Sequence, residues 1–196
     1  TEWGATLATN IVRTTSTSTR TTTVTGTTGT RKRITKNDMV GVRTKFNKMN
    51  LPNLGKTSMW GILTPEMVED LLLIAEFVDY DKSGELSKLR NGEIAYIMGF
   101  NLMMRNNGQG SAGAMYSVDA STKRTVDEAL SATDNAAAIF WHSSMVRHAE
   151  GNAATFIDRG KPEYLGGTLL SSVVRFGATF DRPDQKGIVA LVETNG

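Results

Sequence analysis

The chain has no cysteine, which excludes disulfide stapling and thiolate metal sites and leaves the redox compartment open. His142 and His148 are its whole supply of imidazole, so a zinc site of three histidines cannot be built from one copy. No apolar run approaches the length that spans a membrane, so a soluble or assembled protein without a membrane partner is expected. No secretion signal is evident. The sequence opens on Thr1 rather than methionine, and loss of preceding sequence by processing, expression design or proteolysis is expected. A calcium loop is also missing its last ligand. Asp79, Asp81, Ser83, Gly84, Glu85 and Ser87 fall where an EF-hand wants oxygen ligands and a turn glycine, but its closing glutamate is replaced by Arg90. A guanidinium donates no oxygen, and Glu93 comes too late. A surface turn followed by an Asn91-Gly92 turn into a strand from Glu93 to Phe100 is the better reading.

What is present suits one compact domain, or one domain with a long extension: 196 residues, 39% of them hydrophobic. The net charge of +2 is small but unevenly placed. Arg31, Lys32, Arg33, Lys36, Arg43, Lys45, Lys48 and Lys56 crowd one segment, and local potential says more than the net value. Such a run can meet nucleic acid. Phe46 is the only aromatic interleaved with it, so solvated or carboxylate-paired surface competes with that reading.

Threonine dominates Thr14 to Thr30, where Arg20 is the one charged residue. Threonine disfavours helix and favours extended backbone, so an edge hairpin, an arm lying on something else and disorder all remain open. The segment cannot supply its own core; neighbouring elements or another chain must hold it if it is ordered. Gly26-Thr-Thr-Gly29 is not a phosphate loop, because no Gly-Lys-Ser/Thr closes it. Thr35 with Asp38 imitates a capping box, and Met39, Val42, Phe46 and Met49 share one helical face. Asn50 to Gly55 ends that helix. Ser58 to Leu63 reads as a short buried strand. Thr64-Pro65-Glu66 starts a second helix whose apolar face holds Met67, Val68, Leu71, Leu72 and Ile74 and which ends near Phe77. A strand pair or bent strand follows over Ile94 to Met103, then a polar loop from Asn106 to Gly113 and a short helix within Asp119 to Thr133. Asn135 to Trp141 reads as a strand, with Ser143 capping a short helix that contains Met145, Val146, His148 and Ala149; one longer helix from Asp134 competes. Leu169 to Ala178 and Gly187 to Glu193 are late strands separated by the turn Asp181-Arg-Pro-Asp184. Mixed elements followed by two strands give an α+β class.

No constellation declares chemistry. Asp134, Glu150 and Asp158 are candidate partners for either histidine, but no nucleophile is matched to them, and ordinary structural or surface histidines are the simpler reading. Ser143 and Ser144 lie in no G-x-S-x-G elbow. Glu66 and Glu69 are neighbours on one helix rather than carboxylates across a cleft. Trp3, Trp60 and Trp141 are too dispersed for a stacking platform, and two of them sit in apolar contexts expected of a core. No enzyme activity, cofactor or metal is expected.

In their order, several stretches carry a resemblance: Arg31-Lys-Arg-Ile-Thr-Lys-Asn-Asp-Met39, Trp60-Gly-Ile-Leu-Thr-Pro-Glu-Met67, Phe77-Val-Asp-Tyr-Asp81, Leu89 to Phe100, and Arg175 to Glu193. The chain resembles the major capsid proteins of tailed bacterial viruses or prophages, especially those of Bacteroides-type hosts, which adopt the HK97-like fold. The resemblance covers most of residues 31–193. It implies a peripheral domain with a long helix and strands, and an axial domain with a mixed sheet flanked by helices. The division it implies is a threonine-rich extended segment over residues 1–34, the peripheral-domain helix and turn over 35–57, the axial domain over 58–172, and strands returning to the peripheral domain over 173–196. Family members usually carry an N-terminal arm and an extended loop that clasp neighbours, and neither is placed here. The implied function is self-association into the hexamers and pentamers of an icosahedral shell around double-stranded DNA, located in the virion after assembly in the host cytoplasm, with portal and scaffold proteins as partners. Arg31, Lys32, Arg33, Lys36, Arg43, Lys45 and Lys48 form the candidate DNA-facing or intersubunit basic patch, touching phosphates without reading bases. The rivals are a nucleic-acid-binding module using the basic helix of residues 31–48 and a small hydrolase centred on His148 with Asp158.

Overall fold

A computed structural model of the chain describes residues 10–24, 27–52, 54, 58–75, 96–104, 114–116, 124, 134–160, 166–181, 184 and 186–195. The described elements are, in order, β1 (Ile11–Arg13), β2 (Thr19–Val24), β3 (Thr27–Lys32), α1 (Lys36–Lys48), β4 (Met59–Leu63), α2 (Pro65–Leu72), β5 (Tyr96–Ile97), β6 (Phe100–Met104), β7 (Ala114–Tyr116), β8 (Asn135–His142), β9 (Val146–Glu150), β10 (Ala154–Arg159), β11 (Thr168–Val173), β12 (Phe176–Phe180) and β13 (Ile188–Val192). The class is α+β, as expected.

Both helices begin where their caps predict. The Thr35 hydroxyl accepts from the Asp38 amide while the Asp38 carboxylate accepts from the Thr35 amide at 2.9 Å, a reciprocal capping box that satisfies two orphan donors of α1. Helix α1 stops at Lys48, and Asn50 takes a left-handed φ of 52° beyond it. In α2, Thr64 accepts from the Met67 amide at 3.3 Å and Pro65 occupies the first helical position.

The helices cover one face of a mixed sheet ordered β1-β13-β8-β4-β6-β5, with β7 also paired to β8. Strand alternation sends Met59, Gly61 and Leu63 of β4 toward the helices. Phe140, Ala136 and Ala138 of β8, with Val189 and Leu191 of β13, join Met39, Val42 and Phe46 of α1 and Met67 and Leu71 of α2 in one buried core. Phe100 sits between Phe46 and Phe140 in two edge-to-face contacts, with ring centroids 5.3 and 4.9 Å apart. On the other face Trp60 lies directly across from Trp141, both half-buried rather than fully enclosed.

The expected strand pair over Ile94 to Met103 is the hairpin β5–β6. Its two turn residues, Met98 and Gly99, both have positive φ (49° and 92°), as a tight turn with primed geometry demands. That turn interrupts the single strand expected from Glu93 to Phe100, and three further expectations require correction. The second helix breaks at Leu73 rather than near Phe77, and Leu73 is exposed. The helix expected over Ser143 to Ala149 is only a single tight turn, Ser143–Met145, followed by β9. There Val146, Arg147 and His148 pair with Phe180, Thr179 and Ala178, so sheet pairing overrides local helical signals. The strand read as Leu169 to Ala178 is two strands, β11 and β12. Across from their junction, residues 151–153 oppose only residues 174–175, so a one-residue bulge divides the ladder. The calcium-like loop, the Asn91-Gly92 turn, the loop Asn106 to Gly113 and, apart from Arg124, the Asp119 to Thr133 segment lie outside the described residues.

Gly61 pairs with Phe140, and a Cβ on it would stand 2.7 Å from the Phe140 ring. We expect Gly61→Ala to destabilise the fold by about 1–3 kcal/mol through overpacking. Urea denaturation of the two proteins measures this, and an unchanged midpoint would refute the tight fit.

Candidate assembly surface

The threonine-rich segment is ordered as the antiparallel pair β2–β3, and buried charge holds it to the body. Arg20, on β2, directs one nitrogen to Asp70 of α2 and the other to Glu193 at the end of β13. Arg33 reaches the second oxygen of Asp70 at 3.0 Å, and the Ile34 amide donates to Asp70 as well. Arg31 is 2% exposed and donates to the backbone oxygens of Thr30 and Asp134. Arg124 pairs with the Asp134 carboxylate at 3.0 Å. The sheet's polar end thus sets guanidiniums against carboxylates in low dielectric, where an unpaired charge would be intolerable.

Two of these groups titrate away from their ordinary range. Burial pushes the Glu193 carboxyl up to about 7, with Arg20 opposing the shift. Burial likewise lowers the Arg31 pKa, against the raising influence of Glu193, Asp134 and Glu66.

The seven residues of the predicted basic patch have different environments. Lys36 and Lys48 are exposed, Arg31 is buried, and Lys32, Arg33, Arg43 and Lys45 are half-buried. Arg43 donates to the Met59 sulfur at 2.7 Å and to the Leu54 carbonyl at 3.0 Å, and its guanidinium occupies the space beside Gly99. Lys45 donates to the Ile11 carbonyl at 2.6 Å; burial, and secondarily Arg13, lower its pKa. Arg31, Arg33, Arg43 and Lys45 therefore make internal contacts.

Among the described residues the histidines form no metal-binding cluster with carboxylates. His142 is buried, and its Nδ1 lies 2.8 Å from the Ser144 hydroxyl, where it caps the tight turn. His148 is exposed on β9 opposite Ala178, whereas Asp158 lies on β10 opposite Leu169. Extended chain places those positions roughly 30 Å apart if straight. Among the described residues no group of three His, Asp or Glu side chains could hold a metal ion, and no helix is long and apolar enough to cross a membrane.

A different surface stands out. The ladders β9–β12 and β10–β11 form one long two-stranded ribbon, continued across its bulge by the Gly151 amide donating to the Arg175 carbonyl at 2.8 Å. Phe156 faces the same side as Leu169 and Val173, while Ile157 and its partner Leu170 face the other. All five are exposed, as are Val174 and Phe176, the last at 86%. Two-stranded ribbons are marginal in water, and this one presents apolar side chains on both faces.

This mixed α+β fold, a helix-covered sheet carrying a two-stranded ribbon, is shared with solved chains of low sequence identity and is consistent with an HK97-like architecture. A chain of Mycobacterium phage Che8 matches with TM-score 0.55 and 17% identity over 95% of this chain and 54% of that one. A capsid chain of the cyanophage P-SCSP1u matches with TM-score 0.57 and 16% identity, covering the same shares. A chain of the bacteriophage PhiM1 mature capsid matches with TM-score 0.51 and 15% identity over 79% of this chain and 46% of that one. The chain therefore spans about half the length of these solved chains. No curated protein matches it. The phage capsid protein family model matches residues 4–193, and the chain belongs to that family.

Removing the Arg20 guanidinium leaves Asp70 and Glu193 buried without their shared partner. Arg20→Met is expected to lose about 3–5 kcal/mol in urea denaturation, and a loss below about 1 kcal/mol would show that the bridge holds nothing. The Glu193 shift also fixes a sign. Between pH 4.5 and about 7 the folded chain keeps a proton that the unfolded chain has released. This contribution is therefore full below that window and is lost as pH rises through it. Thermal melts at about pH 5 and about pH 8 should show the slope in wild type and its loss in Glu193→Gln; equal slopes would contradict the assignment.

Proposed function

We propose that the chain is part of a structural subunit that self-associates into an icosahedral shell around phage double-stranded DNA. The observation that carries this reading is the ribbon of residues 146–159 and 168–180, where Phe156, Leu169 and Val173 lie exposed on one face and Ile157 and Leu170 on the other. Burying one such side chain contributes roughly 1.5–3 kcal/mol, and a repeated subunit offers identical neighbours to do it. Many modest contacts of this kind stabilise a closed shell without a catalytic centre.

Family membership and the fold shared with phage capsid chains support the reading. Within it, residues 35–57 belong to a peripheral domain and 58–172 to an axial one, with residues 1–34 and 173–196 as the extended segment and returning strands. Hexamers and pentamers are the assembly units, and portal and scaffold proteins are the partners. Assembly takes place in the host cytoplasm and the product is the virion. The link to Bacteroides-type phages or prophages rests on the ordered sequence stretches. Exposed Lys36 and Lys48 are the members of the basic set best placed to meet DNA phosphates or a neighbour.

Negative-stain imaging of the full-length protein, before and after nuclease treatment, tests this directly. Shells or capsomers that persist without nucleic acid are expected. Phe156→Ser combined with Leu170→Ser should leave the melting temperature within a few degrees of wild type yet reduce particle yield at least tenfold. Monomers in the wild type, or full particle yield in the double variant, would sink the reading.

A further inference from the structure

The two long edges of the ribbon are guarded unequally. The edge of residues 146–159 carries Arg147, His148, Glu150, Asp158 and Arg159, whereas residues 168–180 hold only Arg175. Charged side chains are how natural sheets prevent an edge from templating another strand. One edge has that protection, and the other lacks it along β11.

The unguarded strand is also open. Residues 166–179 are exposed without interruption, and among the described residues the ladder partners of β11 and β12 come only from β10 and β9. Alternate residues of an antiparallel edge strand direct both amide and carbonyl away from their own partner. Such a strand accepts a further strand, and the choice of occupant depends on what matches its side chains.

Its own sequence matches them. A two-fold axis relating antiparallel strands must set one residue opposite itself, because only then do outward-facing groups meet outward-facing groups. Centring the axis on Ser171 places Leu169 opposite Val173 on both sides, so apolar groups flank a Ser–Ser pair. Phe156 shares that face, so the row Phe156, Ser171, Ser171, Phe156 would run across the pair between two Leu–Val contacts. Arg175 falls opposite Gly167, which keeps the two guanidiniums well apart.

We propose that β11 is a self-complementary docking edge that pairs antiparallel with β11 of a second copy, centred on Ser171, to make a four-stranded sheet from two ribbons. This rests on the reading of the chain as a self-assembling subunit and names the strand through which one contact is made.

The absence of cysteine gives a clean test. Ser171→Cys introduces a single thiol at an exposed position, and a two-fold at that residue brings the paired Cβ atoms within disulfide reach. Ala149→Cys, on the guarded edge, is the control. Full-length variants would be checked for particles by negative stain, oxidised mildly and separated without reductant. Covalent dimer should form in Ser171→Cys at a yield at least fivefold above Ala149→Cys. Particles with no dimer, or equal yields at both positions, would overturn the docking edge while leaving shell formation standing. If wild type forms no particles, the reading of function fails on its own. The same oxidation at high protein concentration then decides the edge, since absence of the Ser171→Cys dimer there overturns it too.

Discussion

The body of this molecule depends on one desolvated guanidinium. Arg20 lies between Asp70 and Glu193, joining a strand near the beginning of the chain to a central helix and to the strand near its end. A threonine-rich pair of strands buries too little apolar area to dock by hydrophobic contact. Charge therefore does the docking. Replacing buried ion pairs by apolar residues is often neutral or better for stability, so such a network defines position more clearly than it adds free energy. Here it fixes where β2–β3 rests. Thr35 and Asp38 then begin α1, while Asp70 also accepts from the Ile34 amide and so fixes the chain leading into that cap.

The main sheet and the ribbon obey opposite rules although β8 runs almost directly into β9. In the sheet, β13 is buried at every position, and Phe46, Phe100 and Phe140 interlock above Gly61. Beyond His142 and its tight turn the same chain is exposed on both faces for most of its length. Within the proposed assembly, a closed body and an apolar ribbon divide the work of folding from that of meeting neighbours. The bulge at residues 151–153 lies between the two ladders, where added twist can re-aim the distal part without disturbing the body.

Signals carried by a single residue type at a fixed spacing were legible in the sequence. The capping box at Thr35 and Asp38, the Thr64-Pro65 start and the period of α1 all predicted what formed, because caps and periodicity are local physics. The ribbon was misread, because Ser143 to Ala149 satisfies helical cues locally and is decided by strands lying some thirty residues downstream. The buried network left a faint trace. Arg20 stood alone among threonines, and Asp70 lies three residues from Met67 on the apolar face of α2, where a carboxylate needs a reason. No spacing rule could have joined them to Glu193, since the three meet only after the sheet has formed.

The basic segment shows why composition misleads about partners. Counted along the sequence, residues 31–48 look like a footprint for an anion, yet Arg31, Arg33, Arg43 and Lys45 are directed at carboxylates, carbonyls and a thioether of their own chain. Asp70 offsets the charge of Arg33, whereas Arg43 and Lys45 keep their charge against neutral acceptors but have donors turned inward, away from an external anion. Association would then depend more on apolar surface and open backbone than on charge, and the ribbon offers both. Contacts of that kind are individually small and insensitive to salt, so closure of a shell would follow from their number and geometry.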